Sequence, residues 1–454
     1  MNMLVIGNGL DIDLGFPTKY ADFLNFSKAF TLFINQDIDK IDEFDTKCTH
    51  TAIVNRYNPQ SLPVLTDDHE KLKKFLQNFD KSFLINFINK VCKDFHYCIH
   101  QNCWISYFNE RYEQNLIAGK NWIDLESEIQ NVIHAIEEKR NFKIIASPNK
   151  YEKFLDSNEF SLNLQQFIYK NQKDRITIFE NNYKKIKLDI LKDFDKFVMA
   201  LGIYLDFFVS QLSPNIEKAS KEIIDMMSGK NQIDHVLSFN YINNFKNNNL
   251  KSEDVCFVHG AVDYKKELEN HISDTMSKED KDYMSIQNII NRNKMIVGFD
   301  ELQDSDENFT PQDFELEFVD YRKYFQRIYK GTESHYVDWL NEYKVRLQNS
   351  VRTSTNSESW SNLYKQKLEA ELSCSTPDHV FIFGHSLDAT DNEILKDIFL
   401  REHKDTKITI YYHDSDSRKR IISNLIRILT KPVLVQKTKG KNPEIEFIQQ
   451  TYSK

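Results

Sequence analysis

Short unbroken runs of apolar residues, each ending in glycine, asparagine or histidine, set the frame of this chain. Residues 3–6 (MLVI) run into Gly7, 235–239 (HVLSF) into Asn240, and 255–258 (VCFV) into His259 and Gly260. Residues 295–297 (MIV) run into Gly298, 379–383 (HVFIF) into Gly384, and 408–412 (ITIYY) into His413. Runs of this length without polar alternation are what strands buried on both faces look like, which predicts a parallel sheet of about six strands. In such a sheet ligands bind beyond the carboxyl ends of the strands, where all of these polar residues fall.

The intervals between strands read as helical. Over residues 184–212, Ile186, Ile190, Phe194, Phe197, Val198, Leu201, Leu205, Phe208 and Leu212 recur at three- and four-residue spacing, the stripe of an amphipathic helix. That aromatic stripe suits a contact between subunits as readily as a core. Residues 122–138 (WIDLESEIQNVIHAIEE) predict a second helix with Asp124 and Glu126 in its first turns, where carboxylates complement the helix dipole. A structureless loop as long as the interval after the first strand is implausible in a compact fold. The expected fold is therefore α/β: a Rossmann-like core from residues 1–25 and 230–454, and a helical insertion over residues 26–229. A further helical insertion is expected at about residues 314–372. The Asn- and Lys-rich residues 243–249 and 263–281 read as exposed loops.

Composition narrows the class. With 33 Phe and 21 Tyr but only 11 Gly and 9 Pro in 454 residues, helix should dominate over turn-rich β structure. The formal charge of -9 supports solubility and leaves no basic footprint for nucleic acid. No run approaches the roughly 18 apolar residues of a membrane span, and residues 1–7 lack the parts of a secretion signal. A cytoplasmic, reducing setting is expected, and the six cysteines (Cys48, Cys92, Cys98, Cys103, Cys256 and Cys374) fit free thiols. His96, Cys98, His100 and Cys103 stand close together, but no second pair has zinc-finger spacing. Phe95, Tyr97 and Ile99 interleave with them as on a buried helix, and a core or surface helix is preferred over a metal site.

The candidate chemistry sits on the strand ends. Gly7-Asn8-Gly9-Leu10-Asp11, followed by Gly15-Phe16-Pro17-Thr18, places two glycines just past the first strand. There the backbone can turn sharply and approach a phosphate or ribose, with the following amides as donors; a structural turn is the plainer alternative. Ile12 occupies the place of the third glycine of a dinucleotide fingerprint, and no ribose-binding acid follows on a nearby strand, which disfavours a hydride-transfer dehydrogenase. Asn240, after Ser238 and Phe239, carries a carboxamide that can hold a ribose hydroxyl or a water, although a turn-forming asparagine looks the same. His259 is a candidate general base or a satisfied structural histidine. Gly384-His385-Ser386-Leu387-Asp388-Ala389-Thr390-Asp391 leads into a helical run over residues 392–399 and lacks the closing glycine of a nucleophile elbow, against a serine hydrolase. Either Asp388 or Thr390 caps that helix, or Ser386 and the helix N-terminus hold a polar ligand.

In type and order, LVIGNGLDIDLGFPTKYADFL, Trp122-Ile123-Asp124-Leu125-Glu126, Ser238-Phe239-Asn240-Tyr241, Val258-His259-Gly260 and IFGHSLDATD resemble the AbiH family of bacterial abortive-infection proteins, as far as about residue 415. The same order is similar, more distantly, to the sirtuin-like (SIR2-like) NAD-binding fold of prokaryotic defence NADases. That resemblance implies Gly7 and Gly9 in a nucleotide loop, Asn240 and His259 as catalytic residues and Ser386 against the ribose. Asn8 stands where the pattern has a small residue and Asp11 where it has serine; with Thr18, Ser238, Gly384 and Asp388 they are expected to complete the pocket. The implied role is a phage-defence effector that depletes NAD or a related nucleotide by cleaving the N-glycosidic bond. NAD is then substrate rather than cofactor. The implied partners are that nucleotide, a phage-derived trigger and further copies of the chain in a homo-oligomer, with neither membrane nor nucleic acid as a target.

Such a reaction passes through an oxocarbenium-like transition state, so the site must stabilise a cationic ribose and aim a water at its anomeric carbon. Asp11 and Glu126 would add negative potential there, or serve only as cap and surface charge. Two other classes stay open. A metal-dependent nuclease needs clustered acids, for which only Asp388 and Asp391 stand close together. A non-enzymatic sensor would use the nucleotide fold to bind a ligand or a phage protein.

Overall fold

The computed structural model describes residues 2–37, 91–145, 175–245, 249–262, 294–299, 315–332, 334–340, 379–399 and 406–452. Among them six strands form one parallel sheet: β1 (Asn2–Ile6), β2 (His235–Ser238), β3 (Val255–Phe257), β4 (His379–Phe383), β5 (Lys407–Tyr412) and β6 (Ile445–Gln449). Their order is β3-β2-β1-β4-β5-β6. Alternate residues bury on opposite faces: Leu4, Ile6, Phe381 and Phe383 join one hydrophobic cluster, and Met3, Val5, Val380 and Ile382 the other. Burial on both faces is why these strands read as unbroken apolar runs.

The Rossmann-like α/β expectation holds, with one strand exchanged. Residues 295–297 are buried but are not a strand; they cross the end of β3, where the Ile296 N–H donates to the His259 carbonyl at 2.8 Å. The sixth position belongs to β6 instead, an edge strand whose Glu446, Ile448 and Gln449 are exposed. Half of its apolar signal is therefore missing from the sequence.

Between β1 and β2 lie α1 (Asn8–Asp13), α2 (Tyr20–Asp37), α3 (Cys92–Ile99), α4 (Cys103–Ile117), α5 (Leu125–Ile145), α6 (Arg175–Ile203) and α7 (Lys221–Met227). The stripe read over residues 184–212 runs along α6, then through a π turn (Tyr204–Phe208) and a 3-10 turn (Val209–Gln211). It is core rather than a free face: Ile190, Phe194, Phe197, Val198, Leu201, Leu205 and Phe208 are buried in one cluster with Leu4, Ile6 and Val236 of the sheet. Aromatic rings knit the helices together, with Phe26 of α2 4.9 Å from Phe208 and 5.6 Å from Phe95 of α3, between ring centroids.

The histidine and cysteine stretch is the joint between α3 and α4. Asn102 caps α4 by accepting from the Trp104 and Ile105 N–H groups, and its amide donates to the carbonyls of Cys98 and Asp193. Cys98 and Phe95 are sealed in the core, and Tyr97 on the outer side of the helix is 40% exposed. Cys98, Cys103 and Cys256 are free thiols; Cys48 and Cys374 lie outside the described residues.

In the second helical interval, a 3-10 segment (Glu315–Tyr321) leads into α8 (Lys323–Lys330). Residues 341–372 of that interval, and the loop expected at 263–281, lie outside the described residues. The opposite face of the sheet is covered by α9 (Asn392–Phe399), α10 (Ser415–Leu429) and α11 (Lys431–Lys437), through Leu395, Ile398, Leu425 and Leu434 among others. No helix among the described residues is long and apolar enough to cross a membrane.

The loops leaving β1 and β4 pack backbone on backbone: the Gly7 N–H donates to the Phe383 carbonyl at 3.1 Å and the Gly9 N–H to the Gly384 carbonyl at 2.7 Å. A Cβ on Gly9 would lie 2.6 Å from the Gly384 Cα. Gly9→Ala is therefore expected to cost ~1–3 kcal/mol or more, because neither backbone can give way. Gly119→Ala, in open space at φ 77, should cost only ~1 kcal/mol for left-handed backbone. Urea midpoints of both variants check this order; equal midpoints would show that the two loops do not touch.

Candidate functional site

Because β1 lies between β2 and β4, the connections on its two flanks run to opposite sides of the sheet and a crevice opens beyond their carboxyl ends. It holds a cleft of 870 Å³, within the ~300–1,000 Å³ typical of small-molecule sites. Gly7, Asn8, Gly9, Asp11, Thr18, Asn240, His259, Gly384, Ser386 and Asp388 all line this cleft, although the chain brings them from widely separated positions. Ser238 does not. It is sealed at the end of β2, where its hydroxyl accepts from the Asn240 N–H at 3.2 Å and so shapes the turn that presents Asn240.

Three amides of the glycine loop are taken up within the chain. The amides of Gly7 and Gly9 are engaged by the β4 loop, and that of Leu10 by the Gly7 carbonyl at 2.9 Å. Asn8 and Thr18 close on one another, the Thr18 hydroxyl donating to Asn8 Oδ1 and Asn8 Nδ2 donating to the Thr18 carbonyl at 3.3 Å. Gly260, at φ 74, serves the chain itself: a Cβ there would lie 2.0 Å from the Lys294 carbonyl oxygen, so no ligand takes that approach. Asp388 follows its plainer reading, Oδ1 accepting from the Thr390 N–H at 3.1 Å to cap the turn before α9.

Asn240 and His259 fare differently. Asn240 Nδ2 donates to the Gly7 carbonyl at 3.2 Å, which fixes the carboxamide and leaves Oδ1 as an acceptor without a partner among the described residues. His259 Nε2 lies 2.9 Å from Asp391 Oδ1 in a buried contact. The Phe239 ring stands edge-on to His259 at 5.4 Å between centroids.

Asp391 is the hub of an ionic cluster that no single motif announces. Lys323 Nζ reaches its Oδ1 at 3.2 Å, and His385 Nε2 lies 3.4 Å from its Oδ2. The Leu387 N–H donates to His385 Nδ1 at 2.9 Å, so the proton of that ring sits on Nε2, toward Asp391. Leu387 itself stands at φ 54, a left-handed conformation unfavourable for leucine, in the turn that orients the ring. Lys323, the first residue of α8, is fully buried, and its Nζ also meets Glu126 Oε1 of α5 at 2.8 Å.

One ammonium thus faces two carboxylates. On Asp391, burial favours the protonated form, but the Lys323 charge and the histidine hydrogen bonds outweigh it and hold the carboxyl well below its ordinary range. Lys323 is held above its own ordinary value, Asp391 and Glu126 prevailing over burial. Glu126, with 22% of its side chain exposed, is pushed up to about 7 by burial and by the Asp391 charge, against the pull of Lys323. Burial, assisted by Lys323, pushes His259 down to about 4 despite Asp391. The imidazole is therefore neutral at pH 7, with Nε2–H on Asp391. Its Nδ1, which has no partner among the described residues, is left as a base at the cleft.

Further groups on the wall are Tyr20 and Tyr241, hydrogen-bonded to each other, with the Tyr241 hydroxyl donating to the Ile296 carbonyl at 2.8 Å. Trp122 is half exposed at the cleft. Asp11 is buried and accepts from Asn244 Nδ2 at 3.0 Å, and burial pushes it up to about 7. Among the described residues no group of three or more His, Cys, Asp or Glu is arranged to hold a metal ion.

A family model described as "Bacteriophage abortive infection AbiH" matches residues 3–412, which takes in β1 to β5 and every member of the Asp391 cluster. No curated protein and no solved structure gives a significant match.

Two variants test the electrostatics. Lys323→Met would leave two buried carboxylates uncompensated and is expected to cost ~3–5 kcal/mol. Adding Glu126→Gln should recover part of that loss, and a double-mutant cycle by urea unfolding checks it; strict additivity would dissolve the proposed coupling. Asp11 has a folded pKa of about 7 against an ordinary 3.8, so its stabilising contribution is complete below pH 3.8 and lost as the pH rises through 7. Asp11→Asn keeps the Asn244 contact without titrating. Its melting temperature should gain on the wild type from about pH 4 to about pH 8, whereas a constant gap would place Asp11 in water.

Proposed function

The chain belongs to the AbiH family of bacteriophage abortive-infection proteins, and from that premise we propose that it is a phage-defence effector that cleaves the N-glycosidic bond of NAD or a related nucleotide. The observation that carries this reading is the pairing of Asn240 and His259 on one cleft beside the switch point of the sheet, with Asp391 behind the histidine. The order of strand-end motifs, similar to the SIR2-like NADases, supports it as well. Depleting such a nucleotide would halt the infected cell before the phage matures.

The chemistry follows from the atoms left unpaired. Asn240 Oδ1 accepts from the attacking water or from a ribose hydroxyl and fixes its position. As the water oxygen bonds to the anomeric carbon, the carbon–nitrogen bond breaks and its electron pair passes to the ring nitrogen. Nicotinamide, attached through a cationic nitrogen, departs neutral and needs no general acid. The proton released by the water moves to His259 Nδ1, and Asp391 stabilises the imidazolium so formed. Asp391 and Glu126 also set a negative potential suited to the oxocarbenium-like ribose. Trp122 supplies aromatic surface on which a base can stack.

Purified protein given NAD should release free nicotinamide, and His259→Ala should lower kcat/KM by about 10²–10⁴. In phage-infected cells the wild-type chain should lower NAD and the same substitution should abolish that fall; protected cells with unchanged NAD would end this reading. The base titrates at about 4, so its limb in the kcat/KM profile should lie well below the ordinary imidazole value of 6.5. A limb near 7 that Glu126→Gln removes would belong to Glu126.

A further inference from the structure

A nucleotide brings anionic charge into the cleft, and the amides of Gly7, Gly9 and Leu10 in the glycine loop are already engaged within the chain. The wall formed by α10 offers another solution. Three cations follow one another there, and the fold disposes of them in three ways. Arg418 lies over the rings of Tyr412 and Phe447, at 5.3 and 5.6 Å from their centroids. Lys419 pairs with Asp416 at 2.9 Å. Arg420 lines the cleft, is exposed, and has no acidic partner among the described residues.

The surroundings of Arg420 are built. Asn424, one turn further along α10 and therefore on the same face, donates from Nδ2 to the Ser386 carbonyl at 3.0 Å. This bond fastens the β4 turn to the helix face that carries Arg420, and the Ser386 hydroxyl has no partner among the described residues. At the amino end of α10 the Ser417 N–H already donates to Asp414 Oδ1 at 2.7 Å, and that carboxylate opposes a further anion there. Lys323, buried behind the residues that line the cleft, is neutralised by Asp391 and Glu126. Lys218, on the lip, is the second lining cation without an acidic partner among the described residues.

We propose that Arg420, with the Ser386 hydroxyl beside it, forms an anion subsite that binds the phosphate or pyrophosphate group of the ligand; this rests on the cleft being a nucleotide site. The guanidinium fork matches phosphate oxygens in a bidentate manner that an ammonium cannot reproduce. The site thereby divides its labour: a neutral base and carboxylates around the ribose, and a cation around the phosphates.

Calorimetric titration of the full chain with inorganic pyrophosphate, ADP-ribose and phosphate-free adenosine tests this. Arg420→Gln should weaken pyrophosphate and ADP-ribose by roughly tenfold or more and leave adenosine unchanged. Arg420→Lys should fall between, and Lys419→Gln should have no effect. The subsite is overturned if wild-type protein binds neither anionic probe, or if Lys419→Gln and Arg420→Gln weaken them equally. Failure of the glycosidic reading is distinguishable: Arg420-dependent pyrophosphate binding without nicotinamide release removes the chemistry and keeps the subsite. Nicotinamide release with an unchanged KM in Arg420→Gln removes the subsite and keeps the chemistry.

Discussion

A single buried ammonium shared by two carboxylates governs the carboxyl end of this sheet. Lys323 sits between Asp391 and Glu126, and each of its partners comes from a different layer of the fold. Asp391 precedes α9 on one side of the sheet, Glu126 begins α5 on the other, and Lys323 opens α8. A buried charge is tolerable only when its counter-charges are in place, so the three segments must dock in register or the fold is penalised. Burial and the shortage of positive charge together decide the protonation states. Asp391, in contact with both Lys323 and His259, stays ionised, and Glu126 is left titrating near neutrality.

Around that constraint the sheet provides position and the loops provide identity. β1 is central and its neighbours β2 and β4 deliver Asn240 and the turn of residues 384–391 to one place. The close contact of the β1 and β4 loops fixes the floor of the cleft at the level of backbone, before any side chain is chosen. The base and the carboxamide therefore stand on rigid strand ends, with their remaining polar atoms tied to Asp391 and Gly7. Such ties restrict the two groups to one orientation each, which is what a site needs if binding is to be converted into direction rather than mere proximity.

Much of this architecture could be read from the order of residues. Five of the six strands follow from apolar runs, because a strand buried on both faces carries its full hydrophobic signal; β6, half exposed at the edge, carries too little, and residues 295–297 carry as much without pairing. Asn240 and His259 were recognisable because a strand end is a defined place. The glycines were recognisable too, but not their purpose, since a close approach by a ligand and one by the chain's own backbone demand the same missing Cβ. Lys323 was invisible: a lysine on a helix that also carries Gln326, Arg327 and Lys330 has the sequence of a solvated face. Only the meeting of α5, α8 and the Asp391 turn makes it interior. Arg420 is set apart from Arg418, the same residue type two positions earlier, by its angle around α10.

The central place of β1 has a consequence for the chain as it is synthesised. β1 is hydrogen-bonded on one edge by β2 and on the other by β4, which is translated much later. Until residues 379–391 emerge, the nascent protein has neither the second edge of β1 nor the aspartate that orients His259. A chain cut before β4 would therefore carry His259 and Asn240 without the carboxylate that meets the one and the turn that completes the cleft beside the other.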